Sequence, residues 1–104
     1  ESGAAVASVS DAVEISLDAA GMYFVAGRPV GRERDQLLAA VQSAVGNLEA
    51  QSLAQQPVEI RADANATHQS VVRALDVCAS LGLVRVSLAT MPIAKSAESL
   101  TNAQ

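Results

Sequence analysis

Residues Val58 to Thr90 read VEIRADANATHQSVVRALDVCASLGLVRVSLAT, and this stretch constrains the fold more than any other part of the chain. Val58 and Ile60 alternate with Glu59 and Arg61, the period-two pattern of a strand with one buried and one wet face. The same alternation returns further on, with Val84, Val86 and Leu88 set against Arg85 and Ser87. Between them Val71, Val72, Leu75, Cys78 and Ala79 fall at helical spacing, with Gln69, Arg73, Asp76 and Ser80 on the other side. Gly82 follows this helix as its C-cap glycine, where a residue lacking Cβ adopts positive φ at little cost. A strand, helix and strand joined by so short a crossover predict two parallel neighbours linked right-handedly.

Two further strands precede this unit. Val13, Ile15 and Leu17 alternate with Glu14, Ser16 and Asp18; Asp18 to Gly21 supplies a turn, and the apolar run Met22 to Ala26 completes a β-hairpin. Gly27 to Gly31, containing Pro29, reads as the end of that hairpin. A helix starts near Gly31, with Glu33 and Asp35 beside its positive end and Leu37, Leu38, Val41, Val45 and Leu48 as its stripe. Gly46 weakens its second half, which runs on through Leu53. The elements therefore run strand, strand, helix, strand, helix, strand. If Glu14, Ser16, Glu59, Arg61, Arg85 and Ser87 share one sheet face, both helices cover the other. The expectation is an α+β fold, a two-layer sandwich of a mixed sheet with two helices on one face. Residues 1–12 read as a linker, 13–90 as one domain and 91–104 as a tail.

The chemistry available is narrow. A net charge of −4, from 7 Lys plus Arg against 11 Asp plus Glu, disfavours nucleic acid as a partner, because phosphate binding needs a concentrated basic surface. Arg28, Arg32 and Arg34 cluster, but Glu33 and Asp35 interleave with them. His68 has only Thr67, Gln69 and Ser70 about it, which make no nucleophile and base pair. Asp63 fits a turn or helix-start carboxylate, and with His68 and Asp76 it matches no metal-ligand spacing. Cys78, the single cysteine, sits on the apolar stripe as a small core residue. No dinucleotide fingerprint, P-loop or nucleophile elbow occurs. The sequence thus names no catalytic residue, cofactor or metal. A one-sided sheet with a free edge points instead to binding, because unpaired edge groups accept a strand from another chain.

The ordered set VEISLDAAGMYFVAGRPV, a Leu-rich helix, and then the strand entering Ala62-Asp63, the helix with Val71-Val72 and Leu75-Asp76, and Gly82 before the last strand resembles the periplasmic domain of the ExbD/TolR family over about residues 13 to 90. The resemblance departs at His68, where many relatives carry Tyr, and at the insertion-like stretch 47–56. It implies a single-pass inner-membrane protein whose transmembrane helix, which carries the family's proton-handling aspartate, precedes this segment. It also implies a homodimer working with an ExbB-type proton channel. In ExbD-like members the output is proton motive force delivered to a TonB-type transducer for outer-membrane uptake of iron chelates and similar cargo. In TolR-like members it is the Tol-Pal system and contact with peptidoglycan. The ExbD-like reading is favoured, with Val13, Ile15, Leu17 and Leu88 as candidate partner-binding residues. A small cytosolic regulatory α+β domain is the alternative outside the family.

Overall fold

In a computed structural model the described residues, 11–91, form a five-stranded mixed sheet covered on one face by helices. The elements are β1 (Val13–Leu17), β2 (Tyr23–Val25), β3 (Arg28–Gly31), α1 (Arg34–Val45), α2 (Ala50–Gln55), β4 (Pro57–Asp63), α3 (His68–Ser80) and β5 (Arg85–Met91). The strand order is β3-β2-β1-β4-β5. β1 pairs with β2 and β2 with β3 antiparallel, whereas β1, β4 and β5 run parallel. The α+β class and mixed sheet agree with the sequence reading, and the hairpin and the β4-α3-β5 crossover fall where the alternation placed them. The linker and tail read from the sequence lie outside the described residues, apart from residues 11, 12 and 91.

Register explains why one face is dry. Ile15 aligns with Ile60 and Leu88, and Val13 with Val58 and Val86, so the apolar alternates of three parallel strands share a face. Beneath the helices Ile15, Leu17, Val58, Ile60 and Ala62 join Tyr23, Val25, Leu37, Val41, Ala74, Val77, Cys78 and Leu83 in one core. The other face aligns Glu14 with Glu59 and Ser87, and Ser16 with Arg61. There Arg61 pairs with Glu14 at 2.9 Å and with Glu59 at 3.5 Å. Opposite charges on neighbouring strands keep that face wet at little energetic consequence, since exposed pairs are worth roughly 0–1 kcal/mol.

Three features differ from expectation. The stretch Gly27 to Gly31 does not end the hairpin; it turns at Ala26 and Gly27 and returns as β3, a third antiparallel strand. Pro29 is tolerated because β3 is an edge strand, where a missing N–H breaks no interior ladder. The long first helix is two helices. Gly46 takes φ of 69° and donates to the Gln42 carbonyl, closing α1, and the chain restarts as α2 four residues later. Finally, α3 does not bury the stripe centred on Val72 and Leu75. Cys78 is buried as expected, but its buried neighbours are Ser70, Ala74 and Val77, while Val72 and Leu75 are 45% and 37% exposed. The helix carries more apolar residues than one face can cover, so packing against the sheet and α1 chose the face.

Candidate partner-binding edge

The two sheet edges are built from opposite materials. β3 is four residues long, carries Arg28 and Pro29 at its start, and ends at Gly31. Short length, charge and proline are the devices that discourage another chain from pairing. β5 has seven residues, RVSLATM, with one charge at its first position and no proline or bulge. Among the described residues nothing pairs with its outer side. Leu88 stands at its midpoint, on the helix-side face by register with Ile60, yet is 47% exposed. Val84, just before the strand, is 69% exposed.

Leu88 is open because of where the helices sit. α1 packs on β1, β2 and β3 and against α3. One flank of α3 is tied to α1: Arg34 Nε donates to Asp76 Oδ2 at 2.9 Å, Arg34 Nη2 to Ser80 Oγ at 2.8 Å, and Arg73 Nη1 to the Arg32 carbonyl at 3.4 Å. At 100° per residue, Val71 and Leu75 fall on the flank away from Arg73, Asp76 and Ser80, and Val72 faces away from the buried side. Leu75 and Val72 on α3 and Leu88 on β5 are thus exposed apolar residues of the helix-covered side of the sheet, with Leu88 on an unpaired strand. Sequence reasoning missed Val72 and Leu75 as surface residues, assigning both to the core. The one available signal was the surplus of apolar positions on α3.

The other sequence candidates fall elsewhere. Val13, Ile15 and Leu17 lie in β1, which is paired on both sides, and Ile15 and Leu17 are 0% and 2% exposed. Neither their backbone nor those two side chains can meet an added strand, so β1 serves the edge only by supporting β4. Asp63 closes β4: its Oδ1 accepts from Asn65 N at 2.8 Å and its carbonyl from Ala66 N at 2.9 Å. The helix start belongs to Thr67, whose Oγ1 accepts from Ser70 N at 3.1 Å. His68 is the first residue of α3 and exposed. Gly82 has φ of 81°; its N–H bonds the Ala79 carbonyl while Leu83 N–H bonds that of Cys78 at 2.9 Å, an arrangement that closes α3 and drives Leu83 into the core.

Single side chains fasten the helices to the sheet. Tyr23, buried in β2, donates its hydroxyl to the Ser70 carbonyl at 2.8 Å, clamping the first turn of α3 to the sheet. Burial pushes its pKa up, and the nearby Arg73 charge opposes this. Burial likewise pushes the Cys78 thiol up to about 11, so it is held neutral and unreactive. At the other end, Arg85 Nη1 donates to the Gln55 carbonyl at 3.2 Å and pins α2 against the start of β5. Among the described residues no group of three or more His, Cys, Asp or Glu is placed to hold a metal ion, and no helix is long and apolar enough to cross a membrane. Among the described residues no nucleophile is hydrogen-bonded to a base.

Comparison with curated proteins returns no match. A family model described as biopolymer transport protein ExbD/TolR matches residues 1–92, most of the chain and every element of the sheet up to the end of β5. On this match the chain belongs to the ExbD/TolR family of biopolymer transport proteins, whose members are non-enzymatic transport components.

Proposed function

We propose that this chain is the periplasmic domain of an ExbD-like inner-membrane protein, which helps couple proton motive force to a TonB-type transducer by receiving an extended segment of that partner along β5. On this reading an ExbB-type channel is engaged through a membrane-spanning helix of the same protein, and the domain handles no protons itself. The observation that carries the proposal is the seven-residue edge, unpaired on its outer side among the described residues, with half-exposed Leu88 at its centre. An added strand gains main-chain hydrogen bonds along β5, and its alternate side chains meet Leu88. Registration by main chain with modest side-chain pockets suits a partner that must be held and released.

Titration of the isotope-labelled 104-residue chain with a peptide from the periplasmic segment of a TonB-type protein checks this by NMR. Amide shifts concentrated in Arg85–Met91 are the expected outcome. No strand shift at millimolar peptide sinks the proposal. Leu88→Lys is expected to weaken binding at least tenfold, about 1.4 kcal/mol or more, because the ammonium must be covered by an apolar partner residue. Cosedimentation with purified sacculi is the corresponding assay for a TolR-like, peptidoglycan-binding output, and retention there without peptide binding would favour that output.

A further inference from the structure

We propose that the cavity between the Asp18 to Gly21 turn, the entry to α1 and the first turns of α3 is a binding site for a small carboxylate, gripped by the guanidinium groups of Arg32 and Arg73. The cavity has a volume of about 310 Å³, at the small end of the range for ligand sites. Its lining includes two cations, Arg32 and Arg73, and one acid, Glu33, in a chain whose net charge is −4. In sequence Arg32 and Arg34 interleave with Glu33 and Asp35, but the fold sends the two arginines to different neighbours. Arg34 pairs with Asp76, and Arg61 with Glu14 and Glu59, whereas among the described residues neither Arg32 nor Arg73 makes an ion pair. Arg73 is half-buried, lies beside the Tyr23 hydroxyl and reaches the Arg32 carbonyl only at 3.4 Å. Its guanidinium carries five N–H donors, so most of them are left for an acceptor inside the cavity.

The main chain around the cavity decides the class of anion. Phosphate sites at turns and helix starts draw on backbone N–H groups, and here those groups are already committed. Ala20 N donates to Asp18 Oδ1 and Gly21 N to the Asp18 carbonyl; Arg32 N and Glu33 N share Gln36 Oε1; Ser70 N donates to Thr67 Oγ1. The start of α3 therefore adds no amide at Ser70, and side chains supply the grip. A planar guanidinium presents paired N–H groups that match the two oxygens of a carboxylate. Gln69, on the same wall, adds a neutral carboxamide donor. Glu33 opposes the anion, so removing its charge has a defined sign. No residue of β5 lines the cavity, and the proposal stands apart from the reading of that edge.

Titration of the isotope-labelled 104-residue chain with sodium succinate, at an ionic strength held constant with sodium chloride, tests this by NMR. Saturable shifts at the Gly21, Gln69 and Arg73 amides and at the Arg73 Nε–H are expected, with Arg85–Met91 unmoved. Arg32→Gln and Arg73→Gln are each expected to weaken binding at least about tenfold, the loss of one charge-assisted contact. Arg73→Lys should recover only part of it, because an ammonium lacks the fork, and Glu33→Gln should tighten it. Should Arg73→Gln lose the native circular dichroism spectrum, Arg32→Gln and Arg73→Lys decide in its place. Shifts that never saturate, variants that bind as the parent does, or inorganic phosphate binding more tightly than succinate overturn the proposal. The peptide acetyl-Gly-Asp-Gly-amide, whose one carboxylate is a side chain, separates the sources of this chemistry. Saturation by the peptide below the succinate concentration identifies an acidic residue of a partner chain, and the reverse order identifies a free small carboxylate.

Discussion

Two buried residues show how single groups hold the support beneath the β5 edge. The Tyr23 hydroxyl ties β2 to the first turn of α3, 47 positions away in sequence, through the Ser70 carbonyl at 2.8 Å. A neutral buried hydrogen bond contributes about 1 kcal/mol net, so Tyr23→Phe is expected to lower the unfolding free energy by that amount in urea titrations, with the fold unchanged by circular dichroism. Cys78 gives a pH signature. Its folded-state value of about 11 lies above that of an exposed thiol, about 8.5. The folded state thus holds this proton more tightly, and the stability it represents is complete below the unfolded value and lost as pH rises toward 11. Cys78→Ala is expected to be less stable than wild type at pH 8, by about 1–2 kcal/mol for the lost packing and cavity, and the difference should narrow between pH 9 and pH 11. A difference that stays constant over that window would mean the thiol ionises equally well folded and unfolded. Tyr23 titrates in both proteins and cancels from the comparison.

At the scale of elements, local sequence wrote the central pieces and tertiary contacts wrote the rest. The β4-α3-β5 unit was legible because its strands alternate cleanly and Gly82 stops the helix between them. Gly82 has φ of 81°, and an added Cβ would meet Leu53 only at ordinary contact distance, 4.0 Å. Gly82→Ala is therefore expected to destabilise by about 1–2 kcal/mol through backbone conformation alone, read from thermal or urea unfolding. Gly31 is a different case. Its φ is 125°, and a Cβ there would overlap the Gln36 carboxamide, whose Oε1 accepts from Arg32 N and Glu33 N at 3.1 Å. Gly31→Ala must displace that carboxamide as well as strain the backbone, so it is expected to cost more than Gly82→Ala and to fray the start of α1, visible as faster amide exchange at Arg34–Leu37. β3 escaped the sequence reading because an edge strand reading RPVG has the composition of a loop. The break in the first helix is half legible: Gly46 marks a weak point in the sequence, but the closing bond to Gln42 that accompanies its positive φ is not visible in the pattern. The orientation of α3 was least legible of all. Val72 and Leu75 look like core on a helical projection, whereas the structure turns Ser70, Ala74 and Val77 inward and ties Asp76 and Ser80 to Arg34.

Across the whole molecule, protection should follow the strand order and not the order of the chain. β1 and β4 are paired on both sides and hold Ile15, Leu17, Val58 and Ile60, whereas α2 buries none of its residues. Hydrogen exchange is expected to be slowest in β1 and β4 and fastest in α2, by several orders of magnitude; equal protection in α2 and β4 would contradict this architecture. The parallel run β1-β4-β5 has a mechanical side as well. A strand laid along β5 and drawn along its own axis would load every bond of the new ladder together, in shear. The same strand drawn sideways would part from β5 one bond at a time. Ladder bonds inside the sheet, between β1, β4 and β5, share that anisotropy, so a domain built this way transmits a lengthwise tug faithfully and lets go of a lateral one, making grip a matter of direction rather than of affinity.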